Sequence, residues 1–186
     1  VGVVTIAGLA PSTDYPTTPN AFRFVRSPGV DAVVITQFDP SLSTLRYSTW
    51  FWGASSYGTD WPFAVDIASD GDIVLGLNAL SNSRFSPTPG AYQPVHGSAS
   101  NAGSSDFAFA RLDPLQSPSA QLVFATFVGG SNGDGPRAIP HSMDVLADDS
   151  IVFCGATQSP NYPLTPNAYS SQVPPLPEFS AVLSIL

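Results

Sequence analysis

Asp14-Tyr15-Pro16-Thr17-Thr18-Pro19-Asn20-Ala21-Phe22 returns as Arg84-Phe85-Ser86-Pro87-Thr88-Pro89-Gly90-Ala91-Tyr92 and again as Asn161-Tyr162-Pro163-Leu164-Thr165-Pro166-Asn167-Ala168-Tyr169. The aromatic anchors at 15, 85 and 162 set periods of 70 and then 77 residues. Self-similarity at a long period points to a repeat architecture before any single residue is weighed. In each copy a threonine precedes a proline already set near the helical φ angle, which reads as an N-cap opening one helical turn. Burial of Phe22, Tyr92 or Tyr169 then closes that turn.

Flanking pieces recur in the same order. Before the segment stands an apolar strand: Val4-Thr5-Ile6-Ala7-Gly8, Ile73-Val74-Leu75-Gly76-Leu77 and Ile151-Val152-Phe153-Cys154-Gly155. After it comes an alternating strand with an Asp-Pro stop, residues 32–40 and 106–114, and the tail 179–186 begins a third copy. A further strand follows each stop, Leu45-Arg46-Tyr47-Ser48-Thr49-Trp50-Phe51 and Leu122-Val123-Phe124-Ala125-Thr126-Phe127-Val128, running into glycine at 53 or at 129 and 130. Phe63-Ala64-Val65-Asp66-Ile67 and Ser142-Met143-Asp144-Val145-Leu146 then lead through acidic turns back to the first strand type.

Short runs rich in Val, Ile, Phe and Tyr, bounded by Gly, Pro, Asp and Ser, are antiparallel strands joined by tight turns. With a the strand before the acidic turn, b the apolar strand after it, c the alternating strand and d the strand after Asp-Pro, the chain reads b-c-d, a-b-c-d, a-b-c. Tandem four-stranded antiparallel units are the blades of a β-propeller. The expected fold is therefore all-β, with about two and a half propeller-type blades: a partial blade at 1–55, a full blade at 56–131 and a partial blade at 132–186. Tyr15, Phe85 and Tyr162 are expected at equivalent buried positions beside the b strands.

Asp-Tyr-Pro-Thr-Thr-Pro-Asn-Ala-Phe, the strand ending Phe-Asp-Pro, the Leu-x-Tyr-Ser-Thr strand with a following glycine, and Ala-Val-Asp-Ile-Ala-Ser-Asp-Gly-Asp-Ile-Val together resemble the bacterial seven-bladed β-propeller repeat family, abbreviated SBBP. The repeats here are longer, with extra residues at 23–30, 94–105 and 170–177. The resemblance implies a propeller module of larger exported or membrane-associated bacterial proteins, at the cell surface, outside the cell or in the periplasm. It implies no catalytic residues, because its motif consists of strand, turn and packing positions.

Charge narrows the partners. The net charge is −8, only 11% of residues are charged, and there is no lysine. Phosphate backbones and anionic lipid surfaces both call for clustered Lys and Arg, so the composition disfavours nucleic acid and basic-patch membrane anchoring. No run of about 18 apolar residues predicts a membrane-spanning helix, and no signal peptide is visible. The chain opens at Val1 without methionine, as a processed or excised piece does. Cys154 has no partner for an internal disulfide and is expected to fill core space.

Candidate chemistry is sparse. His96, in a polar loop, and His141, before a strand, have different surroundings and read as surface or hydrogen-bonded residues. Asp70 with Asp72, Asp148 with Asp149, and Asp134 within Asn132-Gly133-Asp134-Gly135 offer oxygens to a hard cation such as calcium, although none completes an EF-hand loop and Asp serves hairpin turns in its own right. Trp50, Trp52 and Trp61 cluster near one loop. Trp52 and Trp61 are the expected exposed pair, suited to stack on sugar rings or to anchor a partner. The expected functions, in order, are a structural or protein-interaction module, a carbohydrate-binding or adhesive module using loop aromatics, and, by fold analogy alone, an enzyme with a site in the propeller channel. Partners are expected at open strand edges, because unpaired strands invite another chain.

Overall fold

The computed structural model describes residues 2–26, 32–53, 60–98, 103–136, 141–172 and 178–186, with the side chains of 52 and 53 outside that description. It is all-β. Three antiparallel sheets follow one another along the chain. Blade 1 holds β1 (Val4–Ala10), β2 (Ala32–Phe38) and β3 (Leu45–Gly53) in that order. Blade 2 holds β4 (Trp61–Ile67), β5 (Ile73–Leu80), β6 (Ser105–Leu112) and β7 (Leu122–Val128), also in sequence order. In blade 3, β10 (Ile151–Thr157) pairs with β11 (Ser180–Ile185) on one side and on the other with two short pieces, β8 (Asp134–Gly135) and β9 (Met143–Val145). β9 stands where strand a was expected, and β8 adds a second short piece along the same edge of β10.

The hairpins between a and b strands have a local cause. In blade 2 the Gly71 N–H bonds the Ala68 carbonyl at 2.9 Å, and Gly71 takes φ of 96°. In blade 3 Asp149 repeats the bond to Leu146 and takes the same left-handed region at 66°, which aspartate tolerates better than most side chains. At the Asp-Pro stops, Asp39 accepts the N–H groups of Ser43 and Thr44, and Asp113 that of Leu115. Hydrogen bonding from Ser41 and from that turn holds Asp39 down at about 2.

Side chains alternate between the two faces of each blade, and the middle sheet buries one set upstream and one downstream. Val33, Ile35, Tyr47 and Phe51 of blade 1 meet Ile73, Leu75, Leu77, Ala108 and Ala110 of blade 2. Val74, Phe107 and Phe109 of blade 2 meet Met143, Ile151 and Phe153 of blade 3, with Phe109 and Phe153 ring centres 4.4 Å apart. Gly76 is small for a reason: a Cβ there would lie 2.7 Å from the Phe63 ring.

The anchors sit on the upstream faces at matching positions. Phe85 and Tyr162 are buried, and Tyr15, with no blade upstream of it among the described residues, is half-buried. Their chemistry follows the c strand. The Tyr15 hydroxyl lies 2.8 Å from Thr36 Oγ1 and the Tyr162 hydroxyl 3.2 Å from Ser184 Oγ. At the same register blade 2 carries Ala110, and its anchor is the hydroxyl-free Phe85.

Two expectations about the repeated segment are corrected. The threonine-proline step makes a single turn, Ala21 N–H to Thr18 O at 2.9 Å and its equivalents, and the threonine hydroxyl does not cap a helix. Its partner lies on strand d instead, where two backbone groups compete successfully for it. Tyr92 is exposed and Tyr169 fully so, and only Phe22 of that trio packs inward, against Phe51. Cys154 is also corrected, since it is exposed. It occupies the position of Gly76 in a blade whose downstream face meets no further sheet among the described residues. No helix among the described residues is long and apolar enough to cross a membrane.

Candidate interaction site

The connection between b and c folds back as a clip over strand d. In blade 1 the Thr18 N–H donates to the Ser48 carbonyl and the Ser48 N–H donates to Thr18 Oγ1, both at 3.0 Å. Five residues on, the Trp50 N–H donates to the Arg23 carbonyl at 3.2 Å and the Arg23 N–H to Thr49 Oγ1 at 2.9 Å. Blade 2 repeats all four bonds with Thr88, Ala125, Phe127, Gln93 and Thr126. Threonine suits the position because its hydroxyl accepts one N–H while its own N–H completes the pair. The d edges of blades 1 and 2 are thus covered by the chain itself, one of the ways natural sheets protect an edge.

Further edges and faces lie at the two ends. Among the described residues β1 pairs only with β2, and β11 only with β10. Ile73 and Leu75 of blade 2 are wholly buried, whereas their blade 1 equivalents Val4 and Ile6 are 39% and 46% exposed. On the downstream side Ile35 and Phe109 are wholly buried, and their blade 3 equivalent Leu183 is 75% exposed. Ile185 and Cys154 are exposed on the same face. At Val4, Ile6 and Leu183, what the middle blade buries the end blades present.

The five candidate cation ligands divide. Asp70, Asp72 and Asp149 converge from the turns of blades 2 and 3, and the guanidinium of Arg111 lies among them: Nη2 is 2.6 Å from Asp70 and 3.5 Å from Asp149, and Nε is 2.8 Å from Asp72. Asp149 also accepts the Ser69 N–H, and this bond with Arg111 holds its carboxyl below the usual range. Asp148 accepts the Ser150 N–H of its own turn and is likewise lowered. Asp134 lies apart and buried, accepting the Gly130 N–H at 2.6 Å and the Ser159 hydroxyl at 2.7 Å. Among the described residues no three His, Cys, Asp or Glu side chains are grouped to hold a metal ion.

Trp61 is 57% exposed at the start of β4 and flanks a cleft of about 760 Å³ shared with Asn78, Asp134, Gln158 and Phe179. The Trp52 side chain lies outside the described residues. Trp50 is buried against Tyr15, ring centres 5.6 Å apart.

A buried polar cluster escaped the sequence reading. His96 is buried; its Nε2 lies 2.9 Å from the Ala79 carbonyl, and its Nδ1 takes the Ser98 N–H and lies 3.4 Å from Asp106. Asp106 accepts the Gly97 N–H at 2.6 Å, and burial pushes its carboxyl up to about 7. Burial likewise raises Asp60 and Asp134 and lowers His96. Asp60 takes the Ser83 hydroxyl as Asp134 takes that of Ser159. That repeated Asp-to-Ser pairing was the available signal, since both members recur at similar distances along the chain.

No protein-family model matches the chain, and no curated protein matches it.

Proposed function

We propose that the chain is a non-enzymatic structural and protein-interaction module of SBBP type, working in an exported or membrane-associated bacterial assembly. One observation carries this reading: apolar positions buried in blade 2 are displayed at both ends, at Val4 and Ile6 and at Leu183. Apolar surface of this kind gains free energy when another sheet covers it. Low charge and the absence of lysine suit a surface made to be covered. Exported location is supported by the repeat resemblance.

Cys154, the single thiol, stands on the downstream face and reports its occupancy. On raising concentration, sedimentation is expected to show species above the chain's own 19.4 kDa. Maleimide labelling of Cys154 is expected to slow in step. A monodisperse monomer whose thiol labels at one rate across the whole range defeats the reading.

The exposed Trp61 beside its cleft favours a second reading, a carbohydrate-binding or adhesive module. An indole face stacking on a pyranose, with Asn78 and Gln158 meeting hydroxyls, is the arrangement it requires. Trp61→Ala should then abolish binding to a glycan panel, and a panel that shows no binding to the unaltered chain removes this reading.

A further inference from the structure

Two neighbours fix where the hydrogen of His96 sits. The Ala79 carbonyl, 2.9 Å from Nε2, can only accept, and the Ser98 N–H, 3.2 Å from Nδ1, can only donate. Nε2 therefore carries the hydrogen, Nδ1 presents a lone pair, and the ring is neutral. Asp106 Oδ2 faces that lone pair at 3.4 Å. Both residues are buried, and among the described residues His96 is the only ion-pair partner of Asp106. An ionised carboxylate would set one acceptor against another where a buried charge is costly, so the hydrogen between the two belongs to Asp106. The direction of each shift agrees, burial raising Asp106 and lowering His96.

The same contacts hold residues 96–98 down on β6. Asp106 accepts the Gly97 N–H at 2.6 Å and the Ser98 hydroxyl at 3.3 Å, and the His96 ring lies edge-on to Phe127 with centres 5.1 Å apart. Behind the segment there is no spare room. A Cβ on Gly97 would lie 2.4 Å from the Gly130 carbonyl oxygen, one on Gly129 2.5 Å from the Asp106 carboxyl carbon, and one on Gly130 2.4 Å from Ser159 of blade 3. Closure of 96–98 thus backs the junction of blades 2 and 3. From blade 3, Asp134 and Tyr162 lie close enough to Asp106 to feel its charge, and their own bonds, to Gly130, Ser159 and Ser184, involve none of residues 96–98.

We propose that His96 and Asp106 are a compensating pair: when residues 96–98 lift away, the Asp106 O–H breaks and a proton is taken up at His96 Nδ1, so that opening neither gains nor loses a proton. Each group alone would make opening depend on pH, in opposite senses. Asp106 ionises near 3.8 once open and at about 7 when closed, so by itself it favours opening about tenfold more for each pH unit gained between those values. His96, once open, is protonated below 6.5, so by itself it favours opening about tenfold more for each unit lost below that value. Together they cancel, and the segment stays closed to within about threefold from about pH 5 to about pH 8.

Amide exchange at Gly97 and Ser98, corrected for the intrinsic pH dependence of exchange, reads the opening in the full chain. The unaltered chain should change by less than about threefold between about pH 5 and about pH 8. Asp106→Asn, whose amide stands in for the protonated carboxyl, should open about thirtyfold more at the acid end than at the alkaline end. His96→Gln, whose amide can still donate to Ala79, should do the reverse by about 100-fold, and the double variant should be flat again. Each ratio is taken within one variant, so a general loosening caused by the substitution cancels. Nitrogen chemical shifts of His96 in the unaltered chain give a second reading that needs no variant, and the neutral Nε2–H ring should persist at about pH 5. A charged His96 ring in the closed chain at that pH, single variants as flat as the unaltered chain, or single variants that shift in the same sense overturn the proposal.

Discussion

Phe85→Ala should cost about 3 to 5 kcal/mol of folding stability, the usual range for a buried phenylalanine truncated to leave a cavity. The ring lies between two blades, 5.1 Å from Phe127 of its own blade and 6.5 Å from Phe51 of the preceding one, and is 6% exposed. Its removal therefore loosens a sheet-to-sheet contact as well as a side-chain site. For a domain of this size the melting temperature should fall by about 10 °C. Tyr15→Ala should cost less than half as much, because Tyr15 is half-buried and packs within blade 1 alone. Chemical denaturation of the two variants checks both size and order, and Phe85→Leu, at about 1 kcal/mol, keeps the comparison measurable if the alanine variant does not fold. A loss under 1 kcal/mol for Phe85→Ala, or a larger loss at Tyr15, shows that the anchors do not hold the blades together.

The second large effect is a dependence on pH that runs opposite to ordinary acid denaturation. Asp106 ionises near 3.8 in an unfolded chain and near 7 in the fold. Between those values the native state keeps a proton that the unfolded chain has lost, so stability falls as pH rises, by about 1.4 kcal/mol per pH unit. His96 works in the other sense. Its buried ring refuses a proton that the unfolded imidazole takes up below 6.5, so acidification through that region costs stability. Asp60 and Asp134, both raised by burial, tilt the curve the same way as Asp106. Comparing the native chain with Asp106→Asn isolates one carboxyl, because the other groups are common to both. Going from pH 8 to pH 5, the native chain should gain about 3 kcal/mol relative to the variant. Urea midpoints measured at the two pH values provide the check, and an unchanged difference means that Asp106 ionises in the fold as it does in the unfolded chain.

Strand order was readable because its causes are local. Asp39 and Asp113 stop a strand with side-chain bonds to the next few residues, and Gly71 and Asp149 make a hairpin wherever they stand. Even the division of strand a in blade 3 has a local sign, the Gly-Pro step at 135 and 136. What the sequence hid depends on distant neighbours. Thr18 reads as a helix cap until Ser48, thirty residues away, supplies a better pair of partners. Cys154 reads as a core residue because its strand is apolar, yet its burial is decided by the sheet on its far side. Asp70, Asp72 and Asp149 read as cation ligands because nothing near them in sequence announces Arg111. His96 and Asp106 come together only when the loop at 93–98 folds over β6.

The two bare faces are not duplicates of each other, one presenting Val4 and Ile6 and the other Leu183, Cys154 and Ile185. Copies joined through them would be related head to tail, without a two-fold axis, and such a series either closes into a ring or continues as a fibre. The choice rests on the angle between successive sheets. That angle is fixed inside the molecule by rings such as Phe109 and Phe153, which touch no outside partner. Were copies joined in this way, their number would be set in the hydrophobic interior, and a change of volume at Phe109 would alter how many complete a turn while leaving every contact surface untouched.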